Sequence, residues 1–230
     1  MPTILITGAN KGIGLELTKQ YLANDWCVHA TARKPELAEK LSKLTADYNK
    51  LTVHKLDVTN ALQRNTLANE LLNVPIDILL NNAGAWGQMG SNFENTNENK
   101  WLDGLRVNTI APMQMMQLFV NNVATSELKI IANMSSKMAS IDDNTSGGSY
   151  VYRSSKIALN MVSKSAAIDL QAKGISVVIL HPGWVRTDMG GPYGEINTYE
   201  SAQALRKILS KVTLNDSGRF FDIDGSIIPW

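Results

Sequence analysis

Short, β-branched apolar runs alternate with longer amphipathic runs along the whole of this 230-residue chain. The strand candidates are Thr3–Thr7, Cys27–Ala32, Leu51–Lys55, Ile76–Leu80, Lys129–Met134 and Ile175–Leu180, with a weaker one at Arg219–Phe221. Helical patterns fill the intervals: Gly12–Ala23, Glu36–Tyr48, Ala61–Leu72, Asn97–Val123, Ser154–Ala172 and Tyr199–Lys211. The central runs, Ile76-Asp77-Ile78-Leu79-Leu80 and Val177-Val178-Ile179-Leu180, are apolar on both faces and need cover on both sides. A parallel sheet between two helical layers gives that cover. Regular βα alternation with right-handed crossovers therefore predicts a doubly wound, Rossmann-type α/β fold of about seven strands. A single domain is expected over 1–230. The least patterned segments, Ala85–Thr96, Ser140–Ser149 and Gly190–Asn197, each follow the carboxyl end of a strand, where open α/β sheets bind ligands.

Charge narrows the partners. Lys plus Arg number 22 and Asp plus Glu 21, a net charge of +1, without the basic excess that a nucleic-acid or anionic-membrane partner would call for. The one cysteine, Cys27, excludes an intrachain disulfide, fits a reducing compartment, and reads as a buried structural thiol in an apolar run. The opening residues lead straight into a glycine-rich turn, which reads as a strand rather than a signal peptide. No apolar stretch approaches a membrane span, so a cytoplasmic protein is expected. His29 and His54 lie on strands without cysteine or histidine neighbours at ligand spacing, and no metal site is expected.

Directly after the first strand, Thr7-Gly8-Ala9-Asn10-Lys11-Gly12-Ile13-Gly14 opens an amphipathic helix. Glycine reaches positive φ and lets backbone approach a pyrophosphate, and the helix N-terminus offers free N–H groups to that anion. In the first βα turn of an alternating chain, this predicts dinucleotide binding. The spacing is not Gly-x-Gly-x-x-Gly. It resembles the Thr-Gly-x-x-x-Gly-x-Gly fingerprint of the short-chain dehydrogenase/reductase family, and the resemblance continues along nearly the whole chain. Asp57-Val58 is similar to that family's adenine-contacting pair, and Asn81-Asn82-Ala83-Gly84 matches its Asn-Asn-Ala-Gly motif. Asn108, Ser135-Ser136, Tyr152-Arg153-Ser154-Ser155-Lys156 and Pro182-Gly183 follow in the family's order. The ending, Gly218-Arg219-Phe220-Phe221-Asp222 to Pro229-Trp230, resembles the subgroup of sniffer and C-factor-like carbonyl reductases.

The resemblance implies the chemistry. Tyr152 is the expected general acid for carbonyl reduction, and Lys156, four residues on and on the same helix face, tunes it and binds the nicotinamide ribose. Ser136 is expected to hydrogen-bond the carbonyl oxygen, with Ser135 as the alternate, and Asn108 to hold a water relaying protons to Lys156. Gly8, Asn10, Lys11, Gly12, Ile13, Gly14, Asp57, Val58, Asn82, Ala83 and Gly84 are the expected cofactor contacts. Pro182, Gly183, Val185 and Thr187 are expected beside the nicotinamide. His181, entering that turn, reads as structural. The second strand ends Ala30-Thr31-Ala32-Arg33-Lys34, with Ala32 where an acid would bind the ribose of NAD. Arg33, with Lys11 as a second cation, can pair with a 2′-phosphate, which favours NADP(H).

The polar stretch Asp142–Gly148 lengthens the gap between Ser136 and Tyr152, as an outward bulge. Trp86, Met138, Trp184, Met189 and Tyr193 are expected to wall a substrate pocket for a small or medium apolar aldehyde, ketone or quinone, under a mobile cover at Met189–Tyr199. The same residues also suit core or interface packing. The methionine-rich run at Met113, Met115 and Met116 carries more apolar surface than one helix face needs. Because the family often pairs through this helix and the one after Tyr152, a homo-oligomer, at least a dimer, is expected. Two rivals stand beside the carbonyl reductase: an NADP(H)-binding signalling protein without turnover, and an NAD-dependent alcohol dehydrogenase.

Overall fold

The computed structural model describes residues 1–230. Its strands are β1 (Thr3–Ile6), β2 (Cys27–Ala32), β3 (Leu51–Lys55), β4 (Ile78–Asn81), β5 (Ile130–Met134), β6 (Ser176–Leu180) and β7 (Phe220–Phe221). They form one sheet in the order β3-β2-β1-β4-β5-β6-β7, with every pair parallel. The α-helices are α1 (Gly12–Leu22), α2 (Glu39–Asp47), α3 (Ala61–Glu70), α4 (Glu98–Leu105), α5 (Ala111–Ala124), α6 (Tyr150–Asp169) and α7 (Thr198–Leu209).

The absence of polar alternation in the central strands now has its physical reason, because both faces are covered. Ile6, Leu80, Ala132 and Val178 stand in register across four strands and join a core with Leu17 and Tyr21 of α1, Leu41 of α2 and Leu205 and Leu209 of α7. One residue earlier, Leu5, Leu79, Ile131 and Val177 point the other way. They pack with Leu67 of α3, Met115 and Phe119 of α5 and Ala166 of α6. The strand order reverses between β1 and β4, so the loops that follow those two strands diverge and leave a crevice at the carboxyl end of the sheet.

Several boundaries differ from the sequence expectation. The predicted helix Glu36–Tyr48 begins instead as a 3₁₀ turn, Pro35–Leu37, and becomes α-helical only at Glu39. The single helix expected over Asn97–Val123 is two helices joined by a π-helical turn, Arg106–Ile110, which carries Asn108. π turns of this kind sit frequently at functional sites. The helix expected from Ser154 starts at Tyr150, because Ser149 takes a left-handed conformation (φ 50°) and sets the chain into the first turn. His29 and His54 do have a neighbour: each other, with Nδ1 and Nε2 3.0 Å apart across β2 and β3, and Glu70 Oε2 3.0 Å from His54 Nδ1. Burial, and then the charge His54 would carry, push the His29 pKa down to about 4. Cys27 is partly exposed rather than buried.

At the opposite end of the sheet, the buried Asp77 ties three segments together. Its carboxylate accepts from Thr3 N at 2.8 Å and from Glu127 N and Leu128 N at 3.2 Å each. Charge-assisted bonds to buried amides are among the stronger ones. Asp77→Ala is therefore expected to lower unfolding stability by about 3 kcal/mol in urea titrations, and a loss below about 0.5 kcal/mol would contradict this assignment.

Candidate active site

The crevice is built outward from a staple between β1 and β4. Thr7 Oγ1 accepts from Asn82 N at 3.0 Å and from Ala83 N at 2.9 Å. In return, Asn82 Nδ2 donates to the carbonyls of Thr7 at 2.8 Å and Gly8 at 3.1 Å. The backbones are so close that a side chain at Gly8 (φ 66°) would stand 2.9 Å from Ala83 Cα, and one at Gly14 would collide with the Gly8 carbonyl and lie 2.6 Å from Asn82 Nδ2. These two glycines are required by contact, not by habit. No side chain caps the N-terminus of α1 and its first turn carries no acid, so its free amides and positive dipole end face the crevice.

The resulting cleft has a volume of about 690 Å³. It is lined by Gly8, Asn10, Lys11, Gly12, Ile13, Gly14, Arg33, Asp57, Val58, Asn82, Ala83, Gly84, Tyr152, Lys156, Pro182, Thr187 and Met189, all sequence candidates. Gly183 and Val185 belong to the same segment but do not line it, and Val185 is buried. Lys40, Arg186 and Asp188 also line it, and no motif in the sequence marks them. Lys40 comes to the cleft through the 3₁₀ turn that resets α2, a feature no residue pattern announced. Lys11 has a specific partner, since its Nζ lies 2.7 Å from Asp188 Oδ2. Asp57 sits partly buried, which raises its pKa, but the hydroxyl and amide of Thr59 and the charges of Arg33 and Arg64 outweigh this and hold it below the usual range.

At the inner end stand Tyr152 and Lys156, with Ser136 beside the phenol but not itself lining the cleft; all three are buried. Burial pushes the Tyr152 phenol up to about 12, while a hydrogen bond with the Ser136 side chain pulls it back. Ser135 does line the cleft, but its Oγ donates to Asn160 Oδ1 at 2.6 Å. Lys156 Nζ donates to the Met134 carbonyl at 2.8 Å and lies 5.8 Å from the centre of the Tyr152 ring. Burial pushes the Lys156 pKa down to about 8. The Asn108 side chain is held by protein groups: Nδ2 donates to the Ala85 carbonyl (2.8 Å) and Ser155 Oγ (2.9 Å), and Oδ1 accepts from Ala85 N (2.9 Å). It clamps the loop after β4 onto α6.

The Asp142–Gly148 stretch does bulge outward. It is pinned at its ends by Asp142 N donating to the Trp230 carbonyl at 3.0 Å and by Ser149 N donating to Ser91 O at 2.7 Å. Arg153 adds bonds to Met138 O (3.1 Å) and Ser146 Oγ (2.9 Å). The expected substrate walls separate into two groups. Trp86 and Met138 are partly buried, with Trp86 stacked on Tyr152. Trp184, Met189 and Tyr193 are 50%, 40% and 83% exposed. Their segment is tied to itself, through Trp184 Nε1 to Gly190 O (2.8 Å) and the Arg186 guanidinium to Gly194 O (2.8 Å) and Glu195 O (3.0 Å). His181 Nδ1 accepts from Lys137 N at 3.2 Å, and burial holds its pKa near about 4, so the imidazole is a neutral acceptor that shapes the turn.

The crevice at the β1/β4 reversal thus holds a glycine turn closed on Asn82 at one end and the buried Tyr152 and Lys156 at the other. The family model described as short chain dehydrogenase matches residues 2–197, and the chain belongs to that family. The structure superimposes on the carbonyl reductase Sniffer of D. melanogaster over the full length of both chains, with a TM-score of 0.95 and 31% identity. It also matches an NADPH-bound carbonyl reductase from chicken fatty liver, at TM-score 0.92 and 31% identity, covering 100% of this chain and 99% of that one. In sequence it is 34% identical to C-signal of Myxococcus xanthus, across 68% of this chain and 93% of that protein. No helix is long and apolar enough to cross a membrane.

Burying Lys156 for the site has a stability consequence. Its folded pKa lies below the 10.5 of a free lysine, so the folded state releases its proton first. Wild-type stability is therefore depressed below about pH 8, where both states are charged, and recovers as pH rises towards about 10.5. Lys156→Met is expected to be more stable than wild type by about 1–3 kcal/mol at neutral pH, with the gain shrinking at about pH 9.5. Urea unfolding at the two pH values checks it; a variant less stable at neutral pH contradicts it.

Proposed function

We propose that this chain is an NADPH-dependent carbonyl reductase that turns a small or medium apolar aldehyde, ketone or quinone into the alcohol. The observation that carries the reading is the buried phenol of Tyr152 between the Ser136 hydroxyl and the Lys156 side chain, at the inner end of a dinucleotide-shaped cleft. The residues fit such a cofactor. The glycine cradle has no room for side chains at Gly8 and Gly14, the first turn of α1 is uncapped, and β2 ends on Ala32, followed by Arg33 and with Lys40 also at the cleft, where an acid would repel a 2′-phosphate. The NADPH-bound state of the chicken carbonyl reductase supports the same choice.

When bound, NADPH supplies the hydride that adds to the carbonyl carbon. The chain's own residues handle the oxygen. Ser136 donates a hydrogen bond to it as negative charge develops. Tyr152 holds its proton throughout the neutral range, because burial keeps the phenol pKa up near about 12, and gives that proton to the oxygen. The Lys156 ammonium stabilises the phenolate left behind. Since Lys156 loses its charge as pH rises through about 8, reduction slows on the alkaline side of that value. Met138 and Trp86 supply apolar walls, with Met189, Trp184 and Tyr193 on a segment that would close over a bound substrate.

Following NADPH absorbance with a panel of aldehydes, ketones and diketones tests the reading. Tyr152→Phe is expected to reduce kcat by at least about a hundredfold, and Arg33→Ala to raise KM for NADPH about tenfold while leaving that for NADH nearly unchanged. Equal rates in wild type and Tyr152→Phe would reject the proton donor. The similarity to C-signal keeps a second reading in view, an NADP(H)-binding signalling protein. Tight NADPH binding without turnover of any carbonyl would favour it.

The same proposal includes assembly as a homodimer. Met113, Met116 and Val120 of α5 and Met161, Val162 and Leu170 at α6 line an apolar groove of about 450 Å³ on the outer surface. Met161 is 67% exposed, an apolar surface that suits a second copy with the same groove. Met161→Glu is expected to shift the protein from dimer to monomer in sedimentation experiments. A wild-type monomer at micromolar concentration would contradict the assembly.

A further inference from the structure

In the sheet, β4 and β5 stand between β1 and β6, yet the chain leaving β6 reaches back over their carboxyl ends to the turn after β1. Two contacts make the crossing. Lys11 Nζ donates to Asp188 Oδ2 at 2.7 Å, and a side chain added at Gly12 would stand 3.6 Å from Thr187 Cγ2. Both sides of this bridge line the cleft, Lys11 and Gly12 on one and Thr187, Asp188 and Met189 on the other. Arg33 and Tyr152 line the same cleft, from β2 and α6. A dinucleotide that reaches from one to the other has to pass the crossing.

The crossing segment is closed on itself. Arg186 N donates to Ile196 O at 2.9 Å and Ile196 N to Trp184 O at 3.2 Å, so its two ends are paired. Inside, Gly190 N donates to Thr187 Oγ1 at 3.0 Å, and a side chain at Gly194 would stand 2.5 Å from Arg186 N. A compact loop packed by its own groups moves as one body. The Lys11–Asp188 pair fastens that body to the glycine turn.

An acid at this place calls for an explanation, because it repels the phosphates that the cleft is to receive. The hydrogen bond and charge of Lys11, with the charge of Lys40, hold the Asp188 carboxyl below its usual range, so it is ionised at neutral pH. The two side chains are 66% and 79% exposed, and such a pair adds little to folding stability. What it can govern is passage through the cleft it crosses.

We propose that Asp188 is a cofactor-retaining residue: with Lys11 it clasps the loop after β6 to the glycine turn, and the dinucleotide enters and leaves only when this pair opens. This rests on the cofactor part of the functional reading and not on the carbonyl substrate. It gives Lys11 a task apart from the 2′-phosphate, so that selection of NADPH falls to Arg33. The carboxylate then has two effects of opposite sign. As a bare negative charge it slows entry of an anionic ligand and speeds its release; as half of a clasp it slows both.

Stopped-flow mixing that follows NADPH fluorescence reads both rate constants. At about 0.05 M salt, Asp188→Asn is expected to raise association and dissociation rates alike, by about threefold to fivefold, the size of an exposed ion pair. At about 0.5 M salt the difference should shrink below about 1.5-fold, because screening opens the wild-type clasp as well. In a Lys11→Ala background the clasp is already gone, and Asp188→Asn no longer speeds release. Release of NADH should quicken as much as that of NADPH, since the pair acts on passage. Slower or unchanged release in Asp188→Asn, an equal gain with and without Lys11, or a gain confined to NADPH would overturn the clasp. In the cofactor-free protein, the Asp188 carboxyl followed by NMR should titrate at higher pH in Lys11→Ala than in wild type, and an unmoved titration would overturn the pair itself. Should wild type bind no dinucleotide, the cofactor reading fails, while that titration still decides whether the pair exists.

Discussion

The hydrogen bonds from the Asn82 and Ala83 amides to Thr7 Oγ1, returned by the Asn82 side chain to the Thr7 carbonyl, are the interaction on which the site depends. They join β1 and β4 at the point where the strand order reverses, so the two loops that must diverge there begin from one fixed place. Asn82 then reaches on to the Gly8 carbonyl, which fixes how the glycine turn enters α1. A parallel sheet leaves a crevice at this position for topological reasons alone. What this chain adds is a crevice whose floor is backbone, because Gly8 and Gly14 have no side chains to fill it.

From that floor the structure runs inward through a set of buried polar groups. Asn81 Nδ2 donates to Asn133 Oδ1 at 2.8 Å, Asn133 Nδ2 donates to Ser163 Oγ at 2.8 Å, and Ser135 bonds Asn160 at 2.6 Å. These connect β4, β5 and α6 beneath the reacting groups. Buried polar networks of this kind fix a unique geometry more than they add net stability. They lock α6 against the sheet, so that Tyr152 and Lys156, one turn apart, are held at fixed depth. The depth sets the chemistry: the same burial keeps the phenol protonated and weakens the hold of Lys156 on its proton. A fold optimised for stability alone would not place an ammonium there.

The alternation of runs and the ordered motifs make the sheet and the glycine cradle legible in the sequence, because both depend on local chemistry repeated along the chain. The family match and the full-length structural neighbours agree with that reading. What escaped was set by contacts between distant residues. The π turn at Asn108 arises inside a pattern that reads as one helix, and the early start of α6 depends on the backbone of Ser149. The His29–His54 contact is created by strand register over 25 residues, and the Lys11–Asp188 pair by a separation of 177. The sequence presents Trp86 as a wall but not its stacking on Tyr152, which depends on the clamp of Asn108 on Ala85 and the packing of Gly87 on Val151. The segment expected as a substrate cover is held together by hydrogen bonds among its own residues, with Tyr193 in solvent, contacts that composition does not announce.

The most direct test is a crystal structure of the chain grown with NADPH. The account predicts the pyrophosphate on the free amides of the turn from Asn10 to Ile13, the 2′-phosphate beside Arg33, and the Tyr152 hydroxyl turned towards the nicotinamide. A dinucleotide bound elsewhere, or a Tyr152 hydroxyl facing away from the nicotinamide, would contradict it.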